Sequence, residues 1–348
     1  MKNTLCGMRA LLKYSEFLLG LFFVLLGGCA ETASLREHAY QGGALGTSYS
    51  IKVFTADTTD LQPAIDSVFR VVNQSLSTYL PESDISRINS GDSGVQVDEM
   101  FAEVFKMSVE IYQQTDGYFD PTVGILVDAW GFGPGPALEM DSTRVDSLRQ
   151  YVGLGKVQLT PDSRIAMQQS GIRLDFNAIA KGYAVDRLGV MLEDKGAADY
   201  LVEVGGELRT LGINQLKEQP WVVGIDDPQV LEGRKIKQII TLSDRAMASS
   251  GNYRKFRVDS ITGKKYVHTI DPRTGYTKDS RILAASVLAE TCMRADGFAT
   301  AFMAMDLEAS KRILESDDSL EGYIIYLDES GTTSEYMTPG FKAVLQQD

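Results

Sequence analysis

The sequence predicts an α+β fold, in which antiparallel sheets are flanked by helices. The segments with helical and with strand periodicity come in blocks rather than in strict alternation, and this favours antiparallel sheets over a doubly wound parallel sheet. The 348 residues are 44% hydrophobic, which is enough for a large core in one domain or in two joined lobes. The net charge of −13 excludes the basic surface that nucleic-acid binding requires.

The first residues resemble a bacterial export signal. Lys2, Arg9 and Lys13 precede Phe17–Gly28, an uncharged and mostly apolar stretch that is too short to span a bilayer. It ends in Leu-Leu-Gly-Gly before Cys29, and this junction resembles the lipobox of lipoproteins, in which the cysteine is acylated and becomes the first residue. A buried apolar helix with an incidental cysteine is the alternative.

The lipobox resemblance sets the expected domain boundaries. We expect a signal peptide over residues 1–28, a polar tether over 29–43 and the folded domain over 44–345. The protein would then be lipid-anchored through Cys29 on the periplasmic side of a bacterial membrane. Cys292 would be the one unpaired cysteine left in the folded domain, and we expect it to be buried in a helix.

The first half of the chain is predicted to be mainly helical. Tyr49, Ile51 and Val53 alternate with polar residues and predict a strand over 48–54, whereas apolar residues at helical spacing predict a helix over 61–76. The other predicted elements, in order, are a helix over 100–111, a loop over 130–136, a helix over 142–151, strands over 157–160, 164–167 and 173–176, and a helix over 178–192.

The second half is predicted to be richer in strands, because its apolar runs are short and separated by turn residues. One long helix, over 292–305, interrupts them. The predicted strands lie over 200–204, 207–211, 221–225, 235–242, 255–258, 266–270, 282–288 and 322–327.

The segment Asp175-Phe-Asn-Ala-Ile-Ala-Lys181-Gly182 joins a predicted strand to a helix start. Asn177 is a good N-cap residue, and Lys181 would lie near the first turn, where a cation opposes the helix dipole. An anion bound at the helix start would explain this arrangement, because free N–H groups and a lysine together hold phosphate. A solvated lysine on an ordinary helix is the alternative.

The segment Asp296-Gly-Phe-Ala-Thr300 places a carboxylate and a hydroxyl on one helix face, because residues four apart are neighbours on a helix. Both groups offer the hard oxygen that Mg²⁺ prefers, and the residues between them are small or apolar. The alternative is a solvent-facing aspartate with a threonine bonded back to its own helix.

His268 is a candidate general base. It follows a predicted strand and precedes an Asp-Pro turn, which would set the imidazole at the rim of a sheet. The other histidine, His38, falls in the predicted tether, so a two-histidine metal site is excluded. No G-x-S-x-G motif supports a Ser-His-Asp hydrolase. A structural turn histidine is the alternative.

Together these segments resemble the ApbE family, the FAD:protein FMN transferases. The resemblance covers nearly all of residues 45–340. The motifs that carry it are Gly46-Thr47, Ser77-Thr-Tyr79, Ser83-Asp-Ile-Ser-Arg-Ile-Asn89, Gly117-Tyr-Phe-Asp-Pro-Thr-Val-Gly124, Trp130-Gly-Phe-Gly-Pro134, Asp175 to Gly182, Val204-Gly-Gly-Glu207, Ser249-Ser-Gly-Asn-Tyr253, His268 to Gly275 and Ala295-Asp-Gly-Phe-Ala-Thr300.

The resemblance implies an ApbE-like, T-fold-like α+β architecture with two lobes and FAD in the cleft between them. It implies a Mg²⁺-dependent transfer of FMN from FAD to a Thr or Ser hydroxyl of a target flavoprotein, with AMP released. Asp296 and Thr300 would hold Mg²⁺ with the backbone carbonyl of Ala178, and His268 would deprotonate the acceptor hydroxyl. The residues that would contact FAD are Leu45, Tyr79, Trp130, Gly131, Phe132, Asp175, Lys181 and Ile270.

Two residues depart from the pattern of the family, which often has Met at the position of Leu45 and in some members has Glu at that of Lys181. The expected acceptor is a flavoprotein of a membrane redox complex. Two alternatives use the same residues or a subset of them. A FAD pyrophosphatase would transfer FMN to water, and a non-enzymatic flavin-binding lipoprotein would have lost the metal ligands or the base.

Overall fold

The computed structural model describes residues 35–230, 233, 235–252, 256–258, 265–278 and 280–346. The described residues from Glu37 onward belong to one compact unit. The predicted signal peptide and Cys29 lie outside the described residues.

An eight-stranded sheet forms the centre of the fold, in the spatial order β1-β2-β5-β6-β9-β12-β13-β14. From β2 to β14, every neighbouring pair in this sheet is antiparallel. Its strands are β1 (Arg36–Ala44), β2 (Thr47–Thr55), β5 (Asp199–Val204), β6 (Glu207–Leu211), β9 (Ala246–Gly251), β12 (Ile282–Ala289), β13 (Glu321–Leu327) and β14 (Thr333–Met337).

Three antiparallel two-stranded sheets complete the strands. They pair β3 (Val157–Leu159) with β4 (Ile165–Met167), β7 (Trp221–Asp226) with β8 (Ile236–Leu242), and β10 (Phe256–Val258) with β11 (Lys265–Val267).

The helices that the structure describes are α1 (Gln62–Leu76), α2 (Asp84–Asn89), α3 (Glu99–Gln114), α4 (Gly124–Ala129), α5 (Ser142–Arg149), α6 (Ala180–Asp194), α7 (Cys292–Ala304), α8 (Leu307–Ser316) and α9 (Pro339–Ala343). In that same part of the chain, none of them is both long and apolar enough to cross a membrane.

Two helices lie on one face of the central sheet and carry a second helical layer. Helix α7 packs on β9 and β12, α6 packs on β5 and β6, and the two helices contact each other. Helices α1 and α3 cover α6 and α7 in turn. The opposite face of the sheet is covered by the β7–β8 hairpin and α9, where Leu208, Met247 and Leu288 pack with Ile240 and Phe341.

This architecture confirms the predicted α+β class with antiparallel sheets. Most of the long elements are also confirmed within two residues, among them β2, α1 and β6. The division into two lobes stays a prediction, since the described residues from Glu37 onward form one compact unit.

The prediction of a tether up to residue 43 is wrong for its second half, because β1 occupies Arg36–Ala44 beside β2. This strand is polar and mostly exposed, as an edge strand can be, so its sequence lacks the apolar alternation that predicts a strand. It is nevertheless tied to the core, since Tyr40 packs there and its hydroxyl accepts a hydrogen bond of 3.1 Å from the Leu61 N–H.

Two further predictions are corrected around Asp175. Residues 173–176 do not form a strand, and Arg173 makes only an isolated bridge with Val123. Helix α6 begins at Ala180 rather than at 178, and Asn177 does not cap it, because the N-cap residue is Ile179 and no side chain caps the helix. The Asn177 N–H donates to the Asp175 carboxylate at 2.7 Å. The residues between Phe176 and α6 form a turn instead.

Candidate active site

Helices α6 and α7 approach each other closely at Gly182, in the first turn of α6. A Cβ atom at this position would stand 2.7 Å from the carbonyl carbon of Cys292 and 2.8 Å from the Cβ of Asp296. The first of these atoms belongs to the backbone and cannot rotate away. Only glycine therefore permits this contact, which brings the start of α6 against the first turns of α7.

The contact places the Asp296 carboxylate at the N-terminus of α6. Asp296 is fully buried, and its Oδ2 accepts a hydrogen bond of 2.9 Å from the Gly182 N–H. Burial raises the pKa of Asp296 to about 7, although Lys181 and this hydrogen bond act in the opposite direction. The anion expected from the sequence at this helix start is, in the structure, a carboxylate of the chain itself.

The same bond leaves a backbone oxygen available. In a continuing helix the Gly182 N–H would donate to the carbonyl of Ala178, four residues earlier, but here it donates to Asp296. Ala178 lies in the turn before α6, and its carbonyl does not receive this helical hydrogen bond. Thr300 follows one turn after Asp296 on α7, and its hydroxyl lies 3.3 Å from the hydroxyl of Ser250 on β9.

Lys181 lies between two buried carboxylates. Its ammonium forms an ion pair with Oε1 of Glu207, whose side chain is 3% exposed. Burial acts to lower the pKa of Lys181, but the charges of Asp296 and Glu207 outweigh it and raise the pKa. The other carboxylate oxygen of Glu207, Oε2, is buried and has no hydrogen-bond partner among the described residues.

Asp186, one turn further along α6, fixes the start of α7. Its carboxylate accepts hydrogen bonds from the N–H groups of Cys292 (2.9 Å) and Met293 (2.8 Å), and Arg209 on β6 lies 3.7 Å from it. Burial raises the pKa of Asp186 to about 6. Asp186 thus supplies partners for two N-terminal N–H groups of α7, which an isolated helix leaves unpaired.

Cys292 is buried, as the sequence predicts. Its Sγ is 3.7 Å from the Met247 carbonyl, and burial raises the pKa of the thiol well above its usual value. A protonated, enclosed thiol is a packing group rather than a nucleophile.

His268 lies directly after β11 and is partly exposed. Its ring meets that of Phe132 edge-on at 6.5 Å. The neighbouring Thr269 hydroxyl donates to the Asn252 side chain at 2.7 Å, which attaches this turn to the residue after β9. Thr300 contacts Ser250, which lies on β9 two residues before Asn252. The turn that carries the predicted base and the helix that carries the predicted metal ligands are therefore attached to neighbouring positions of the chain.

His38 lies in β1 and not in a tether, so the sequence prediction for it is wrong. Its charge acts on Asp57, together with that of Lys195 at the C-terminal end of α6. Lys181 is at the opposite end of this 15-residue helix, about 20 Å away. His38 therefore does not belong to the site.

Tyr79 and Asp175 lie at a second, adjoining part of the site. Tyr79 is 57% exposed, and its hydroxyl is 3.5 Å from the Phe132 carbonyl. The partial burial of this hydroxyl raises the pKa of Tyr79, and the charges of Asp175 and Asp128 act in the same direction. Burial also raises the pKa of Asp175. A cavity of about 160 Å³ lies here, lined in part by Asp175, Asp128 and Thr78, whose buried hydroxyl has no hydrogen-bond partner among the described residues.

Four of the predicted FAD contacts, namely Trp130, Ile270, Leu45 and Gly131, lie in apolar clusters or tight turns. Trp130 is buried, its indole N–H donates to the Gly275 carbonyl at 2.9 Å, and it shares an apolar cluster with Ile270. Leu45, at the β1–β2 turn with a φ of +50°, packs against the core, as Ala178 does. Gly131 has a φ of +81°, in the turn after α4.

A cavity of about 610 Å³ lies between α1, α3 and α6 and includes Val68, Met100 and Met191 in its lining. None of the predicted site residues lines it. The predicted metal ligands lie instead in the turn before α6 and on α7, and His268 and Ile270 lie in the 268–278 segment, whereas most of the predicted FAD contacts lie elsewhere.

Two residues of the site were missed as functional by the sequence analysis. In the sequence, Glu207 stands out only as the last residue of the motif Val204-Gly-Gly-Glu207, and no motif contains Asp186. The signal for Glu207 was the pair Gly205 and Gly206, whose φ values of +67° and +109° show a turn that other residues rarely adopt. Asp186 carries no signal in its local sequence, because the N–H groups that donate to it are more than a hundred residues away.

Comparison with known proteins gives a consistent result. The sequence profile of the ApbE family matches residues 45–324. A FAD:protein FMN transferase of Vibrio cholerae serotype O1 is 32% identical over 332 residues, which cover 93% of this chain and 97% of that protein. One of Haemophilus influenzae is 31% identical, covering 83% and 86% respectively.

Solved structures agree with the sequence comparison. The flavin transferase ApbE from Vibrio cholerae matches with a TM-score of 0.79 at 32% identity, covering 89% of this chain and all of that one. The apo flavinyl transferase ApbE from Pseudomonas stutzeri matches with a TM-score of 0.78 at 27% identity, covering 90% of this chain and 98% of that one.

Gly182→Ala should destabilise the protein by about 1–3 kcal/mol, because the added methyl group must push apart two backbones that are in contact. The free energy of unfolding from urea titration measures this. Gly155→Ala is the matched control, since a Cβ there meets no atom within 4 Å, and it should change stability by no more than about 0.5 kcal/mol. Equal stability of the two variants would contradict the close contact.

Proposed function

The chain belongs to the ApbE family, and from this membership we propose that it transfers FMN from FAD to a hydroxyl group of a target protein. The observation that carries the proposal is the set of oxygen atoms at the junction of α6 and α7. Asp296 offers a buried carboxylate, Ala178 a backbone carbonyl and Thr300 a hydroxyl. The relatives named FAD:protein FMN transferase support the reaction, and the chain aligns with them over most of its length.

The donor set at this junction fits a magnesium ion. Carboxylate, carbonyl and hydroxyl oxygens are the hard ligands that Mg²⁺ takes, and it usually keeps further positions for water and phosphate oxygens. The diverted Gly182 N–H leaves the Ala178 carbonyl available. When bound there, Mg²⁺ would neutralise charge on the diphosphate of FAD and on the leaving AMP.

His268 acts as the general base in this proposal. Its imidazole takes the proton of the acceptor Thr or Ser hydroxyl as that oxygen forms a bond to the phosphorus of the FMN half of FAD. The bond from this phosphorus to the bridging oxygen breaks, and AMP leaves with the electron pair. The chain's contribution is therefore positioning and proton removal rather than a covalent intermediate.

In this proposal, FAD would occupy the region of the surface that extends from the Tyr79 side chain to that of Lys181. The exposed Tyr79 ring and the half-buried Phe132 ring offer aromatic surface for a flat ring system. The cavity beside Asp175 contains a buried hydroxyl of Thr78 that has no partner among the residues described there, so it suits a ligand with polar groups. Lys181 supplies positive charge near the diphosphate.

Transfer should require both magnesium and the Asp296 carboxylate. Purified protein is incubated with FAD, Mg²⁺ and single periplasmic flavoprotein domains of membrane redox complexes, and covalent flavin is detected by fluorescence in a denaturing gel. We expect EDTA to abolish labelling and excess Mg²⁺ to restore it, and Asp296→Asn to need more Mg²⁺ at a lower maximal rate.

The same assay separates transfer from hydrolysis. An acceptor with its target hydroxyl residue changed to Ala should stay unlabelled. Release of FMN and AMP at one rate with and without acceptor would indicate a FAD pyrophosphatase instead, and normal turnover of Asp296→Asn at limiting Mg²⁺ would remove Asp296 from the ligand set.

His268→Ala should lose transfer by about 10²–10⁴-fold, the usual contribution of a positioned general base. FAD affinity, measured by flavin fluorescence, should be nearly unchanged, because the base faces the acceptor. The wild-type rate should fall as acid protonates the imidazole, since only the neutral ring accepts a proton. His38→Ala is the matched control, and full labelling by His268→Ala would refute the assignment.

We also propose that the protein is a lipoprotein anchored through Cys29 on the periplasmic side of the membrane, which would place it beside membrane redox complexes that carry covalent flavin. The support is the lipobox-like junction in the sequence. Mass spectrometry of the mature N-terminus should find an acylated Cys29, and Cys29→Ser should abolish the modification while Cys6→Ser retains it. An unmodified N-terminus elsewhere would contradict the proposal.

A further inference from the structure

Glu207 has a position that the sheet fixes before any ligand is present. Gly205 and Gly206 form the tight turn between β5 and β6, with φ values open to glycine, and Glu207 is the first residue of β6. A Cβ on Gly205 would also stand 2.7 Å from Cγ2 of Thr47, so the turn has no room to shift. The Glu207 carboxylate is therefore held at the sheet end that faces the start of α6.

The charges in this enclosed place do not balance. Asp296 and Glu207 are 1% and 2% exposed, and the ammonium of Lys181, whose side chain is 31% exposed, interacts with both of them. Lys181 is bound to Oε1 of Glu207, whereas Oε2 of Glu207 is buried with no partner in the part of the chain that is described. A buried carboxylate oxygen without a donor costs free energy, so its retention calls for a function.

Lys181 is a competitor for any cation at Asp296, because its positive charge already acts on that carboxylate. The interaction between two unit charges weakens as their distance or the local dielectric constant increases, so it is strong where water is excluded. If the Lys181 ammonium turned to Asp296, it would satisfy the carboxylate and repel a divalent cation. The ion pair with Glu207 prevents this, because it gives the ammonium a second carboxylate that the sheet holds in place.

We propose that Glu207 is a positioning residue that retains the Lys181 ammonium and thereby leaves the Asp296 carboxylate available to a divalent cation. The inference rests on the metal site of the proposed function. If the inference holds, the effect of Glu207 on metal affinity depends on the presence of Lys181. A merely structural contact between α6 and β6 would not produce this dependence.

The test is a double-mutant cycle on Mn²⁺ binding in the absence of FAD and acceptor. Mn²⁺ accepts the same oxygen ligands as Mg²⁺, and its free concentration is measured by electron paramagnetic resonance. Glu207→Gln should weaken Mn²⁺ binding by about 10–100-fold, the usual effect of losing a partner outside the ligand set. Lys181→Met should bind at least as tightly as the wild type, and the double variant should stay within about 3-fold of Lys181→Met.

Controls identify the site and the fold in the same assay. Asp296→Asn should weaken the Mn²⁺ binding, and Glu329→Gln, an exposed position between β13 and β14, should leave it unchanged although it removes the same charge. Circular dichroism and thermal unfolding establish that each variant folds. The assay needs neither FMN transfer nor an acceptor, so a failure of the proposed reaction does not affect its outcome.

Three results would overturn the inference. The first is that Glu207→Gln binds Mn²⁺ as the wild type does. The second is that Glu207→Gln weakens binding equally with and without Lys181, because Glu207 would then act on the cation itself. Mn²⁺ binding that Asp296→Asn does not weaken would overturn the metal site and the inference together. If Glu207→Gln does not fold, Lys181→Met alone decides, because weaker binding by that variant contradicts competition.

Discussion

The site depends on one contact, the approach of the α6 and α7 backbones at Gly182. Because Gly182 has no side chain, the first turn of α6 reaches the carbonyl of Cys292 and the Cβ of Asp296. The N–H of Gly182 then bonds the Asp296 carboxylate, and the Ala178 carbonyl loses the donor that a longer helix would give it. A packing constraint thus produces a group of oxygen ligands. Asp186 maintains the geometry from the other side, since it binds the first N–H groups of α7.

The electrostatics follow from the same packing. The layer between the helices and the sheet excludes water, so burial disfavours the charged forms of Asp296 and Asp186 and raises both pKa values, to about 7 and about 6. Lys181 is the compensating charge for Asp296 and Glu207, and it stays protonated because these carboxylates outweigh its own burial. A cation site next to a lysine is therefore stable only if the lysine has another partner, and β6 provides one.

The long elements were predictable because burial on one face imposes a period on the sequence, as in β2, α1 and α3. The failures have physical reasons. Strand β1 is an exposed edge without alternation, β9 is built from small residues that the neighbouring strands and α7 bury, and α2 and α4 are too short to show a period. The Asp296 and Thr300 pair could be found because its spacing is local to one helix. The Glu207 and Lys181 ion pair could not, since 26 positions separate two residues that only the sheet and α6 bring together.

Strand β9 connects the two halves of the proposed chemistry. The Ser250 hydroxyl contacts Thr300, on the side of the candidate metal ligands, and the Asn252 side chain holds Thr269, next to the candidate base. Ser250 lies in β9 and Asn252 is the turn residue that follows the strand, so the two attachments are only two residues apart in the chain. In-line transfer of a phosphoryl group needs the attacking and the leaving oxygen on opposite sides of phosphorus. In the proposed reaction, these side-chain hydrogen bonds would help to hold the candidate base and the candidate oxygen ligands beside the same phosphorus.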